Sequence, residues 1–204
     1  MKFSYCLLGL ILITSFDSLA QPKKDLIPFD KNVKLGKLPN GLTYYIRKNS
    51  KPEHKAELRL VVNAGSVLER EDQRGIAHFL EHMAFNGTAH FPKNELLSYL
   101  QKAGVRFGAD LNATTSFDFT LYMLPIPSND ETVLQNGYQV LRDWAGGLLL
   151  DQAEIEKERG VILEEKRMRQ NAAQRTYAQY LPILTNNSKY GQRIPIGKEE
   201  VIKT

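Results

Sequence analysis

The chain has 204 residues, 25% of them charged, four histidines, one cysteine and a formal net charge of +4. That length is enough for a packed core. The positive excess is too small and too dispersed for a nucleic-acid stripe, because the densest basic run, Lys166 to Arg175, follows Glu154, Glu156, Glu158, Glu164 and Glu165 in the pattern of a solvated helix face.

The first twenty residues read as a leader. Lys2 precedes an apolar stretch from Phe3 to Phe16, shorter than the twenty or so residues of a membrane span, and Ser18-Leu19-Ala20 supplies the small residues of a signal-peptidase site. Cleavage after Ala20 would leave a mature domain of residues 21–204 without Cys6, hence without a disulfide and without a transmembrane segment. Such a chain leaves the cytoplasm, with the periplasm as its expected destination and the cell surface or secretion as alternatives.

Residues 21–32 are polar and read as extended. Leu38-Pro39-Asn40-Gly41-Leu42 places an Asn-Gly turn between two strand-like runs, with Leu42 to Arg47 as the return strand. A strand is expected over Glu57–Asn63, where Leu58, Leu60 and Val62 alternate with Glu57, Arg59 and Val61. A charged loop between Gly65 and Gly75 leads into a helix over Ile76–Phe85, stopped by Asn86-Gly87. Ile76, Ala77, Phe79, Leu80 and Met83 put apolar residues on nearly every side of that helix, which predicts that it is mostly buried.

This helix carries His78, Glu81 and His82 as H-F-L-E-H. With 3.6 residues per turn, both imidazoles leave one face a turn apart and can reach one metal ion, while Glu81 flanks that face. Two neutral nitrogens plus a later carboxylate suit a single Zn²⁺ with a fourth position open to water, the pattern of catalytic sites; a structural zinc site favours four Cys/His ligands, and the mature chain has no Cys. The bland alternative is a helix face with satisfied histidines.

Further on, Pro92 opens a helix with Leu96, Leu97 and Leu100 at helical spacing until Gly104. Strands are expected at Val105–Phe107 and Phe117–Leu124, separated by residues 108–116, with Pro125 and Pro127 ending the second. Ser128-x-x-Glu131 offers a capping box for a helix to about Leu150, which Gly146-Gly147 can end early, and Asp151-x-x-Glu154 offers one for a helix to about Leu181. Asn186–Gly197 is turn-rich, and a new element begins before Thr204. The predicted fold class is α+β, an antiparallel sheet with helices packed mainly on one face.

The third metal ligand should come from the acidic helix after Asp151. Glu158 and Glu165 lie seven apart, two turns, and share a face, so one can ligate while the other braces a ligand. At this point the chain resembles the pitrilysin/insulinase family of zinc peptidases, the inverzincins, and within it the exported bacterial, processing-peptidase-like members. The resemblance rests on Leu38-Pro39-Asn40-Gly41-Leu42, Ala64-Gly65-Ser66, the run from Gly75 to Thr88 around H-F-L-E-H, Asn112-Ala113-Thr114-Thr115, and the run from Glu158 to Glu165 (E-R-G-V-I-L-E-E).

The resemblance implies a processing-peptidase-like metallohydrolase domain and a zinc-dependent endopeptidase acting on peptides or unfolded segments. It makes His78, His82 and Glu165 the zinc ligands, Glu81 the general base, Glu158 the acid that braces a ligand, and Asn112 and Ala113 the segment that pairs with substrate as an added strand. The stretch from His82 to Glu165 is longer than in mitochondrial processing peptidases, and distance alone favours Glu158 as ligand; the local string favours Glu165, with a longer loop at Arg106–Asp110 absorbing the excess, and Glu164 is the remaining rival. Phe79 can shape the pocket but reads as core. The family resembles a clamshell of two homologous halves, so a second half, from the same longer chain or a partner subunit, is expected, and this segment alone should cleave peptides feebly. The alternative is a non-catalytic peptide-binding partner of the same family.

Overall fold

The computed structural model describes residues 27–93, 95–106, 108 and 112–204. The expected leader and Cys6 lie outside the described residues, as do Phe107 and residues 109–111 of the loop expected to absorb the longer spacing. The chain divides into two compact units, residues 1–49 and 50–204.

Within the first unit, β1 (Val33–Lys37) and β2 (Thr43–Arg47) form an antiparallel hairpin pairing Val33 with Arg47 and Lys37 with Thr43. The turn between them runs from Leu38 to Leu42. Gly41, at φ +92°, takes the left-handed conformation that a side chain resists, and the Asn40 carboxamide accepts from Leu42 N at 3.1 Å.

In the second unit, β3 (Lys55–Val62), β4 (Asn112–Thr115) and β5 (Thr120–Pro127) make a three-stranded antiparallel sheet in the order β3-β5-β4. Two expectations are corrected here. Asn112–Thr115 is a strand, not loop, whereas Val105 and Arg106 are irregular, because the turn that reverses the chain falls at residues 117–118, with Ser116 N donating to Phe119 O at 2.8 Å. β5 also runs through Pro125 to Pro127. Ser128 N donates to His54 O, so alternate amides of β5 face β3, and both prolines face the side where β4 has already ended at the Asn112–Met123 pair. A missing N–H costs no ladder bond there.

Tyr122, Leu124 and Ile126 point from β5 into the main core. They pack with Leu96 and Leu100 of α2 (Glu95–Lys102) and Val140 and Trp144 of α3 (Glu131–Gly146). Burial of each such side chain is worth roughly 1.5–3 kcal/mol as an upper bound. The cap of α3 is Asp130, whose carboxylate accepts from Thr132 N and Val133 N, in place of the expected Ser128. Asp151 caps the next helix as expected, but one long helix is two: α4 (Gln152–Arg169) ends at Gln170, and Asn171 caps α5 (Ala172–Leu184) by accepting from Gln174 N. A short α6 (Glu199–Ile202) follows the turns after Asn186. The α+β class with an antiparallel sheet holds. No described helix is long and apolar enough to cross a membrane.

The motif helix α1 spans Ile76–Met83. Its start is fixed by Gly75 at φ +107° and by Glu69, whose carboxylate accepts from Gly75 N at 3.0 Å and Ala77 N at 2.8 Å. Phe79 and Met83 bury against Ile162 of α4 and Ile202 of α6 in a second apolar cluster, so Phe79 is core. The helix is mostly buried, as expected, with Ile76 and Leu80, 39% and 40% exposed, leaving one side uncovered.

Candidate metal centre

Packing α1 against α4 sets the two histidines opposite Glu158 and Glu165 of α4. His78 Nε2 and His82 Nε2 are 3.3 Å apart, and Glu165 Oε2 lies 3.5 Å from the first and 3.3 Å from the second. Atoms about 2.0–2.1 Å from a tetrahedral zinc ion stand about 3.3–3.4 Å apart, so this triangle matches one face of a zinc tetrahedron. Glu165 Oε2 is buried and has no well-aligned hydrogen bond. Its other oxygen, Oε1, pairs with Arg169 one turn on. The donor set, its spacing and the orphaned oxygen all fit zinc.

Glu158 stands behind His82. Its Oε1 lies 2.8 Å from His82 Nδ1, and since a carboxylate only accepts, Nδ1 carries the proton and Nε2 is turned to the triangle. Burial by itself would lower the His82 imidazole, but Glu158 and Glu165 outweigh it and raise it to about 9. Burial and the neighbouring His82 push His78 down to about 4. The two carboxylates thus favour positive charge on His82, and burial disfavours it on His78. Glu164, the rival, is exposed and paired with Arg167.

Glu81 is buried on the adjoining face of α1, and burial raises its carboxyl above the usual range, partly offset by the Thr115 hydroxyl, which donates to Glu81 Oε2 at 2.5 Å. Thr115 belongs to β4, which pairs with β5 alone among the described residues. Because Ser116 N faces β5, alternation turns the backbone of Ala113 and Thr115 to the open edge. Asn112 Oδ1 accepts from Ala113 N at 2.9 Å. This edge, the histidines, Glu81, Glu158 and Glu165 all line one cleft of about 890 Å³.

Every residue predicted for the site thus lines one cleft. Sequence reasoning gave no part in the site to Thr115, Arg169 or Glu69, and read Asn86 only as a helix stop. The i, i+4 spacing of Glu165 and Arg169 was a readable signal, as was the one-turn spacing of His82 and Asn86. The contact of Thr115 with Glu81 spans 34 positions and left none.

Comparison with known proteins gives the family. The family described as Insulinase (Peptidase family M16) matches residues 44–194. A probable zinc protease PqqL from Haemophilus influenzae is 40% identical over 187 residues, 92% of this chain and 20% of that protein. A zinc protease PQQL-like protein of Arabidopsis thaliana is 38% identical over 94% of this chain and 20% of its own length. A crystal structure of the first half of the periplasmic protease PqqL from Escherichia coli superposes with a TM-score of 0.83 at 36% identity, covering 87% of this chain and 38% of that one. The chain spans about a fifth of the length of these two curated relatives.

Proposed function

Because the chain belongs to the insulinase family of zinc peptidases, peptidase family M16, we propose that it is the zinc-bearing part of an endopeptidase that hydrolyses peptides or unfolded polypeptide segments. The triangle formed by His78 Nε2, His82 Nε2 and Glu165 Oε2 carries this reading. These three atoms would hold one zinc ion. Bound there, zinc would supply a water of pKa about 7 in place of about 15.7 and polarise the scissile carbonyl.

The chain's own residues do the rest. Glu81 takes the proton of the attacking water and passes it to the leaving amine, a role worth roughly 10²–10⁴ in rate. The raised carboxyl of Glu81 suits it to return that proton. Thr115 fixes the carboxylate, and Glu158 holds the His82 ring in one tautomer. Ala113 and Thr115 offer the open backbone edge of β4 to an extended peptide, which pairs as an added strand, while Asn112, whose backbone faces β5, reaches that edge by its side chain at Ala113 N. The intact His-His-Glu group argues against the non-catalytic binder. In the full-length protein, Glu81→Gln is expected to keep stoichiometric zinc and lose turnover; cleavage at the parent rate would refute the assignment.

A second homologous half, from the same chain or a partner subunit, completes the cleft in this proposal, since relatives are about five times longer. Residues 21–204 alone are expected to bind zinc and cleave a fluorogenic peptide feebly, and robust turnover would refute the need for the second half. The apolar run after Lys2, together with the periplasmic location of the Escherichia coli relative, supports export to the periplasm.

A further inference from the structure

We propose that Asn86 is a positioning residue for the metal, acting through Glu158 on His82. The inference rests on the zinc reading above. Glu158 is only 8% exposed, and its two oxygens have different partners: Oε1 faces His82 Nδ1 at 2.8 Å, and Oε2 accepts from Asn86 Nδ2 at 2.7 Å. A glutamate held at one oxygen alone swings about its last torsion, which is broad and roughly two-fold. The second donor removes that freedom, because the carboxylate plane is then pinned at both ends. His82 in turn is oriented only as well as the carboxylate behind it.

Asn86 is well placed for this. It lies one turn after His82, in the turn that ends α1, and Gly87 at φ +139° carries the chain away immediately after it. One short segment therefore carries the ligand and the donor that fixes the ligand's support. Its side chain also approaches His82 O at 3.5 Å, so a plain role in closing the helix end is the competing account. The two accounts differ in what they depend on. A helix-end role is indifferent to Glu158, whereas a relay vanishes without it.

The test is a double-mutant cycle on the full-length protein, reading zinc affinity by competition with a chromophoric chelator. Asn86→Ala, and the near-isosteric Asn86→Leu as a guard against local collapse, are expected to weaken zinc by about tenfold. In a Glu158→Ala background the same substitutions are expected to change affinity less than about twofold. Equal losses in both backgrounds would overturn the relay, as would no loss with Glu158 present. A parent protein that holds no zinc would overturn the zinc reading itself, and this inference with it; a zinc-loaded parent indifferent to Asn86 would overturn this inference alone.

Discussion

Glu158 and Glu165, two turns apart on α4, touch opposite nitrogens of the same imidazole: Glu158 Oε1 lies 2.8 Å from His82 Nδ1, and Glu165 Oε2 lies 3.3 Å from His82 Nε2. One helix thus supplies both the brace and the adjoining donor, and the division of labour between the two acids follows from which nitrogen each meets.

Glu158→Gln should therefore leave the triangle in place but loosen its orientation. The expected effect is a 10- to 100-fold weaker zinc affinity with the overall fold retained, measured by chelator competition and circular dichroism. Unchanged affinity would mean that His82 is held by packing alone.

Thr115 offers an isosteric test of Glu81 as the proposed base. Thr115→Val removes the only hydroxyl seen on Glu81 among the described hydrogen bonds and keeps the side-chain shape. A hydrogen bond to a charged group is worth roughly 1.5–3 kcal/mol, so kcat/KM of the full-length enzyme should fall about tenfold or more with zinc content unchanged. Thr115→Ser should restore it.

Asp143 concerns stability, not chemistry. It is 2% exposed and accepts from the Thr88 hydroxyl at 2.7 Å, His90 N at 3.0 Å and Gln139 at 2.9 Å. Burial pushes its carboxyl up, but these hydrogen bonds outweigh it and hold it below the ordinary value. A depressed carboxylate stabilises the fold above its unfolded pKa, and that contribution is lost as the pH falls through the lowered folded value. Asp143→Asn should thus be less stable than the parent at pH 7, with the gap closing below about pH 4, as followed by urea melts across pH. A gap that is constant with pH would remove the charge from the account.

What could be read from the residues alone was local. The i, i+4 histidines, the alternation of β3 and the two-turn spacing of Glu158 and Glu165 follow from the 3.6 and 2.0 periods of one element, and the Asp151 cap from a carboxylate beside the unpaired amides of a first helical turn. What escaped was set by neighbours. Asn112–Thr115 is short and lacks an alternation of large apolar residues, so it becomes β4 because β5 offers it a partner, and Pro125 and Pro127 remain in β5 because β4 stops short of them. The break at Asn171 was hidden because the sequence on either side of it is equally helical; in the structure the backbone turns extended at Asn171 and its side chain caps α5 at Gln174 N. Within the site, the assignment among Glu158, Glu164 and Glu165 needed the angular position of α4 against α1, which no spacing within α4 provides.

The proposed cation triangle is split across two rods whose mutual grip is grease. Phe79 and Met83 on one rod mesh with Ile162 on the other, and Ile162 is fully shielded from solvent. Slippage between them would pull nitrogen from oxygen without altering a single donor, so hollowing out that seam, as in Ile162→Ala, would masquerade as a broken metal ligand in any assay that counts ions.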